Sequence, residues 1–176
     1  MEEENPLENK EHLDEMQEFS KGWLRYLALS TALIAVIAAL SSLQSGTYAN
    51  RSLLEKNSAI LAQSQASDQW NFYQAKGIKK AIAELGHDSA SLVERYTREQ
   101  EDIKKQAESF EEKMKESNER SEALFERHHK AAFGVTLFQV AIALSAMAVV
   151  MRKKTFWLLS IILSLGGLGF VVTALL

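Results

Sequence analysis

Three stretches of this 176-residue sequence run without a charged side chain for long enough to cross a bilayer: 26–43 (18 residues), 131–151 (21) and 155–176 (22). A hydrocarbon core of about 30 Å takes roughly 20 apolar residues in a helix. All three qualify, the first with help from Trp23 and Leu24. Within lipid each backbone amide must bond inside its own segment, so the spans are expected to be helices. The charged remainder of the chain is too small to cover three such stretches in a soluble core. A cleaved leader is not expected, because residues 1–22 carry eight Asp or Glu against two Lys and the first apolar stretch is too long.

Composition removes other classes. Hydrophobic residues make up 47 % and charged residues 24 %, and the mean hydropathy of −0.14 averages two unlike populations. Twenty basic against 23 acidic residues leave no bulk positive charge for nucleic acid. No cysteine excludes a disulfide scaffold, a Cys-ligated zinc site and a thiol nucleophile. One proline and eight glycines exclude collagen and a turn-dense β fold.

Short-loop charge sets the expected orientation. Arg152, Lys153 and Lys154 form the whole connection between the second and third stretches, and Lys21 and Arg25 flank the first on its N-terminal side. The positive-inside rule places both clusters in the cytoplasm. The segments are then an acidic cytoplasmic tail (1–22), a first span (23–43), an extracytoplasmic segment (44–130), a second span (131–151), a basic cytoplasmic turn (152–154) and a third span (155–176) ending outside. Trp23, Tyr26, Phe156 and Trp157 suit the headgroup level. In the tail, Asn5-Pro6 suits a helix start and Leu13, Met16 and Phe19 form a thin apolar stripe. Such a helix either docks a cytoplasmic partner or stays solvated.

Residues 44–130 contain no proline, and their strongest break is Gly86-His87-Asp88-Ser89. Gly86 suits the C′ position of one helix, and Asp88 or Ser89 the N-cap of the next. The break divides the segment into two 42-residue arms, as an antiparallel hairpin between adjacent spans requires. Each arm would be roughly 63 Å long at about 1.5 Å per residue. Ser45-Gly46 and Gly77 are weak points in the first arm. The expected fold class is therefore all-α, with three transmembrane helices and a long antiparallel coiled-coil-like helical hairpin between spans 1 and 2.

The second arm carries a heptad. Val93, Tyr96, Ile103, Ala107, Phe110, Met114, Leu124 and Ala131 fall on alternating three- and four-residue steps, interrupted by Gln100, Ser117, Ser121 and His128. Glu–Lys and Glu–Arg pairs four residues apart, such as Glu94–Arg98, Glu101–Lys105 and Glu116–Arg120, support a solvated helix. In the first arm Leu53, Leu54, Ile60, Leu61, Phe72, Ala75, Ile78, Ile82 and Leu85 share one sector, which is expected to face the second arm. Trp70 and Tyr73 then point to another face. Only 8 of the first arm's 42 residues are charged, against 20 of 42 in the second. Either Trp70 and Tyr73 are contacts of a homo-oligomer, first arms inside and second arms outside, or they widen the intramolecular core.

Chemistry-bearing motifs are sparse. Glu84–His87 and Glu126–His129 have the Glu-x-x-His spacing of di-metal helix bundles. The hairpin holds them at opposite ends, however, so no metal site is expected. His128 and His129 fit an interfacial collar with Arg127 and Lys130, a weak basis for proton sensing. No nucleophile elbow, P-loop, dinucleotide fingerprint or His-Glu-x-x-His occurs, so neither catalytic residue nor cofactor is expected. Gly166-Gly167-x-Gly169 in the third span, and Ala28, Ala32, Ala35 and Ala39 in the first, permit close helix approach. Gln139 within the second span calls for a polar partner across a helix interface or for a pore.

Ala66-Ser67-Asp68-Gln69-Trp70-Asn71-Phe72-Tyr73-Gln74-Ala75-Lys76-Gly77-Ile78-Lys79 resembles a phrase of a bacterial family, domain of unknown function 4337. The resemblance covers nearly the whole chain: acidic N-terminus, one span, this phrase, a charged helix and a terminal pair of spans. It implies a bacterial inner-membrane protein with a periplasmic hairpin, and no activity. The expected role is a non-enzymatic, self-associating scaffold that builds a rod or collar outside the bilayer. An oligomeric pore, lined by Gln139 or by Ser30 and Thr31, is the first alternative, and a monomeric accessory subunit the second. The expected partners are the lipid bilayer and further copies of the chain; no nucleic acid is expected, and no other protein partner is indicated.

Overall fold

The computed structural model of this chain describes the backbone of residues 6–86 and 90–176 and the side chains of 22–86 and 90–176. Asn5, His87, Asp88 and Ser89, and the side chains of Leu13, Met16 and Phe19, lie outside the described residues. Three helices follow one another: α1 (Pro6–Leu85), α2 (Ala90–Met151) and α3 (Lys154–Leu175). The fold is all-α, and α1 and α2 pack as a hairpin. Each helix is long and apolar enough to cross a membrane. Only 22 %, 28 % and 17 % of the three apolar windows are buried, so most of their hydrocarbon faces outward, which suits a lipid solvent and not water.

Pro6 opens α1, where its missing N–H costs nothing. The helix then passes unbroken through Ser45-Gly46 and Gly77. An interior glycine costs only about 1 kcal/mol relative to alanine, which packing readily offsets. At the other end the Gly86 amide donates to the Ile82 carbonyl at 2.9 Å and closes the last turn. In α2, ion pairs form at Glu94–Arg98, Glu101–Lys105 and Glu116–Arg120, as the spacing predicts.

The described residues divide into two compact units, one made of the chain up to Gly46 with Arg127–Leu176, the other of Thr47–Glu126. The first contains the apolar segments. Its core is Ile34, Ala38, Phe138 and Ala141, with Ile37, Ile142, Ile161, Leu163 and Val171 around them. Small residues set its spacing. Ala131, Gly134, Phe138, Ala141, Ser145 and Ala148 are buried along α2 at alternating three- and four-residue steps. On α3 the buried positions are Ser160, Gly167 and Ala174, seven apart. Two hydroxyl links tie the helices. Ser145 donates to Ser160 at 2.9 Å, and Ser160 in turn donates to the Trp157 carbonyl at 2.8 Å. The Trp157 indole N–H donates to Ser30 Oγ at 3.0 Å.

In the second unit α2 presents the seam that its sequence predicts. Ala107, Ser117 and Ser121 are buried, and Val93, Tyr96, Gln100, Ile103, Phe110, Met114 and Leu124 are half-buried. The first arm corrects the sequence reading. Leu53, Leu54, Ile60, Leu61, Phe72, Ile78, Ile82 and Leu85 do not face α2 but are exposed, between 56 % and 81 %. The inward face is instead Tyr48, Ser52, Ala59, Ala62, Ala66 and Ala83, again at heptad steps. The reason is size. α2 already supplies Tyr96, Ile103, Phe110, Met114 and Leu124, and close approach wants small side chains opposite them. Ser52 and Ser121 show the fit: each hydroxyl donates to the other residue's carbonyl at 2.9 Å. Three heptads further along each arm, Gln100 Nε2 donates to the Tyr73 carbonyl at 3.2 Å.

Candidate functional site

The residues that sequence reasoning singled out fall into three groups. The first is a clasp between the arms. Trp70 and Tyr73 are half-buried and stack edge to face at 5.5 Å. Instead of turning away from α2, as the wheel predicts, Trp70 donates its indole N–H to Glu111 at 2.8 Å. Lys76 pairs with Glu99 and lies over the Tyr96 ring at 5.5 Å. Gly77 leaves room for the Gln100 amide, since a Cβ there would stand 2.9 Å from Nε2. An open groove beside Trp70 is lined by Gln63, Ser67, Asn71, Gln74 and Glu111. The chemistry of this group is adhesion of two helices, and sequence periodicity missed its first-arm side because Lys76 is a seam residue that is not apolar.

The carboxyl of Glu99 is shifted toward its ionised form. The hydrogen bond from Lys76 holds its carboxyl below the ordinary value of 4.5; desolvation opposes this, and the charges of Lys76 and Arg95 reinforce it. A carboxyl lowered on folding stabilises above its unfolded value and loses that contribution as pH falls through its folded value. The thermal midpoint of the hairpin is therefore expected to drop on acidification below the usual carboxylate range. Glu99→Gln is expected to flatten that drop, with circular dichroism melts across pH 3–6 as the measurement. The pair is partly exposed, so the effect should shrink in high salt.

The second group belongs to the spans. Gly167 makes the close helix approach: a Cβ on it would stand 2.9 Å from the Gly134 carbonyl, and one on Gly134 only 2.7 Å from the Gly167 carbonyl. Gly134 was not singled out by sequence; the signal was its place seven residues before the buried Ala141. Gly166 and Gly169 lie outward, with only Leu137 near the first and open space at the second. Ala28, Ala32, Ala35 and Ala39 are exposed too, as is Gln139. Ser30 and Thr31 both donate to the Leu27 carbonyl. At the edge of the same unit, His128 Nδ1 lies 2.9 Å from Ser45 Oγ and 3.0 Å from its carbonyl.

The third group is charged. Arg25, Lys153 and Lys154 are exposed. Arg152 is exposed as well and adopts φ 54°, the left-handed conformation that glycine takes without cost and other residues at about 1–2 kcal/mol. Glu126 and His129 are exposed on α2, and His87, the other predicted histidine, lies outside the described residues. Among the described residues no three of His, Cys, Asp or Glu gather as metal ligands.

The family model described as "Domain of unknown function (DUF4337)" matches residues 23–176. The chain belongs to the DUF4337 family. No curated protein and no solved structure matches it. The phrase that carries the resemblance to DUF4337 in sequence is the clasp in the fold. Ala66, Trp70, Tyr73, Lys76 and Gly77 all lie on the side of α1 that meets α2.

Proposed function

We propose that this DUF4337 protein is a non-enzymatic, self-associating membrane protein of the bacterial inner membrane, with a structural role carried by its helical hairpin. The observation that carries the reading is the uncovered apolar face of α1 beyond its span. Leu54, Leu61, Ile78 and Ile82 are more than 60 % exposed there. Single exposed leucines need no explanation, but a row of them on one helix marks an interaction surface. The outward Gln139 amide adds to it, because a polar group facing hydrocarbon calls for a partner across a helix interface. Gly166 and Gly169 offer a surface for close approach of a neighbour within the bilayer. The basic turn at 152–154 supports an orientation with the hairpin and the C-terminus outside and the N-terminus in the cytoplasm.

A pore is the weaker reading. Ser30 and Thr31 spend their hydroxyls on the Leu27 carbonyl, which leaves Gln139 alone of the three to face water. Co-expression of two differently tagged copies tests self-association. Each tag is expected to retrieve the other from mild detergent; retrieval of its own copy alone would contradict the reading.

A further inference from the structure

The exposed face of α1 is a second heptad seam. In the sequence the alternating three- and four-residue steps start at Leu29 and continue through Leu33, Val36, Leu40 and Leu43. The same steps pass the half-buried Thr47 and, over residues 50–82, fall on Leu54, Leu61, Ala75, Ile78 and Ile82, interleaved with Asn50, Asn57, Ser64, Asp68 and Asn71. All ten are exposed. The helix therefore has two seams on different faces: small Ala and Ser residues that α2 covers, and this one, which no other described residue covers.

We infer that a second copy of the same chain covers it, parallel and in register, so that α1 forms the core of the homo-oligomer by a coiled coil over residues 50–82. The inference rests on the self-association reading and names its interface. Four features favour a copy over a different protein. The spacing is that of a helix meeting another long helix. Only one of the ten seam positions, Asp68, is charged, whereas α2 carries most of the hairpin's charge. Asn50, Asn57 and Asn71 are amides that pair with themselves across a parallel seam, the usual register-fixing device of coiled coils. Copies inserted into one membrane by the same basic turn also share one orientation, so each seam residue meets its own counterpart.

Trp70 and Tyr73 then act indirectly. They hold α2 on the other face of α1 and are not themselves the contact between copies.

The absence of native cysteine makes the test direct. A disulfide needs Cα atoms within about 7 Å, so two positions a heptad apart both cross-link to their own counterparts only in a parallel, in-register seam. In full-length protein oxidised in native membranes, Asn57→Cys and Ser64→Cys are each expected to give a cross-linked dimer. Glu112→Cys and Glu119→Cys, exposed on α2, are expected to stay single chains. Asp68→Asn removes a like-charge contact and is expected to make the tagged-copy complex survive greater dilution. If tagged copies co-purify but the seam cysteines do not cross-link, or the α2 cysteines do, the interface is wrong and self-association stands. If tagged copies fail to co-purify, both fall. An Asp68→Asn complex no more dilution-resistant than wild type would also overturn the seam.

Discussion

Gly134→Ala is expected to destabilise the three-helix unit by about 1–3 kcal/mol, the usual cost of forcing atoms into a packed core. Helix propensity predicts the opposite sign, since alanine is favoured over glycine by about 1 kcal/mol in a helix interior. Packing decides. The added Cβ would stand 2.7 Å from the Gly167 carbonyl and 2.7 Å from Val171 Cγ2, and the carbonyl belongs to a helix backbone that cannot rotate away. α3 must move off α2, which disturbs the Ser145–Ser160 hydrogen bond further along the same contact. Gly169→Ala is the matched control, because a Cβ there meets nothing within 4 Å. Unfolding of both variants by denaturing detergent in mixed micelles separates the two effects. Gly134→Ala should unfold at lower denaturant and Gly169→Ala should match or exceed the wild type. Equal behaviour of the two would mean that α2 and α3 do not meet at Gly134.

Ala107→Leu is expected to cost a similar amount, about 1–3 kcal/mol, in the hairpin. Ala107 is completely buried, and the inward face of α1 is held to Ala59, Ala62 and Ala66 by the space available. Three further heavy atoms push the arms apart and strain the neighbouring Trp70–Glu111 hydrogen bond. Ser109→Leu, two residues away on the exposed side, adds the same kind of bulk without that consequence. Thermal melts followed at 222 nm should place Ala107→Leu clearly below wild type and Ser109→Leu close to it.

Much of this was legible because membrane constraints are strong. Three charge-free stretches and the proline-free segment between the first two dictated a helical hairpin, and the second arm's seam could be read residue by residue, polar interruptions included. The charged flanks of α2 made its inward stripe stand out. The first arm was read backwards for the same reason. Its outward face is more apolar than its inward one, so a search for the hydrophobic sector found Leu54, Leu61 and Ile82 rather than Ser52, Ala59 and Ala66. Hydrophobicity marks what must be covered. It does not say whether the cover comes from within the chain. The close contact at Gly134 was missed because pairing it with Gly167 joins residues on two different helices. The association surface became visible only once the hairpin was seen to leave it bare.

The measurement that bears most directly on the account is the native mass of the chain in lipid nanodiscs, wild type beside Leu54→Glu/Leu61→Glu. Both leucines are exposed, so the variant hairpin should keep its melting temperature. The wild type is expected at one defined multiple of the chain mass and the variant as single chains. A monomeric wild type, or a variant that keeps the wild-type mass, would contradict it.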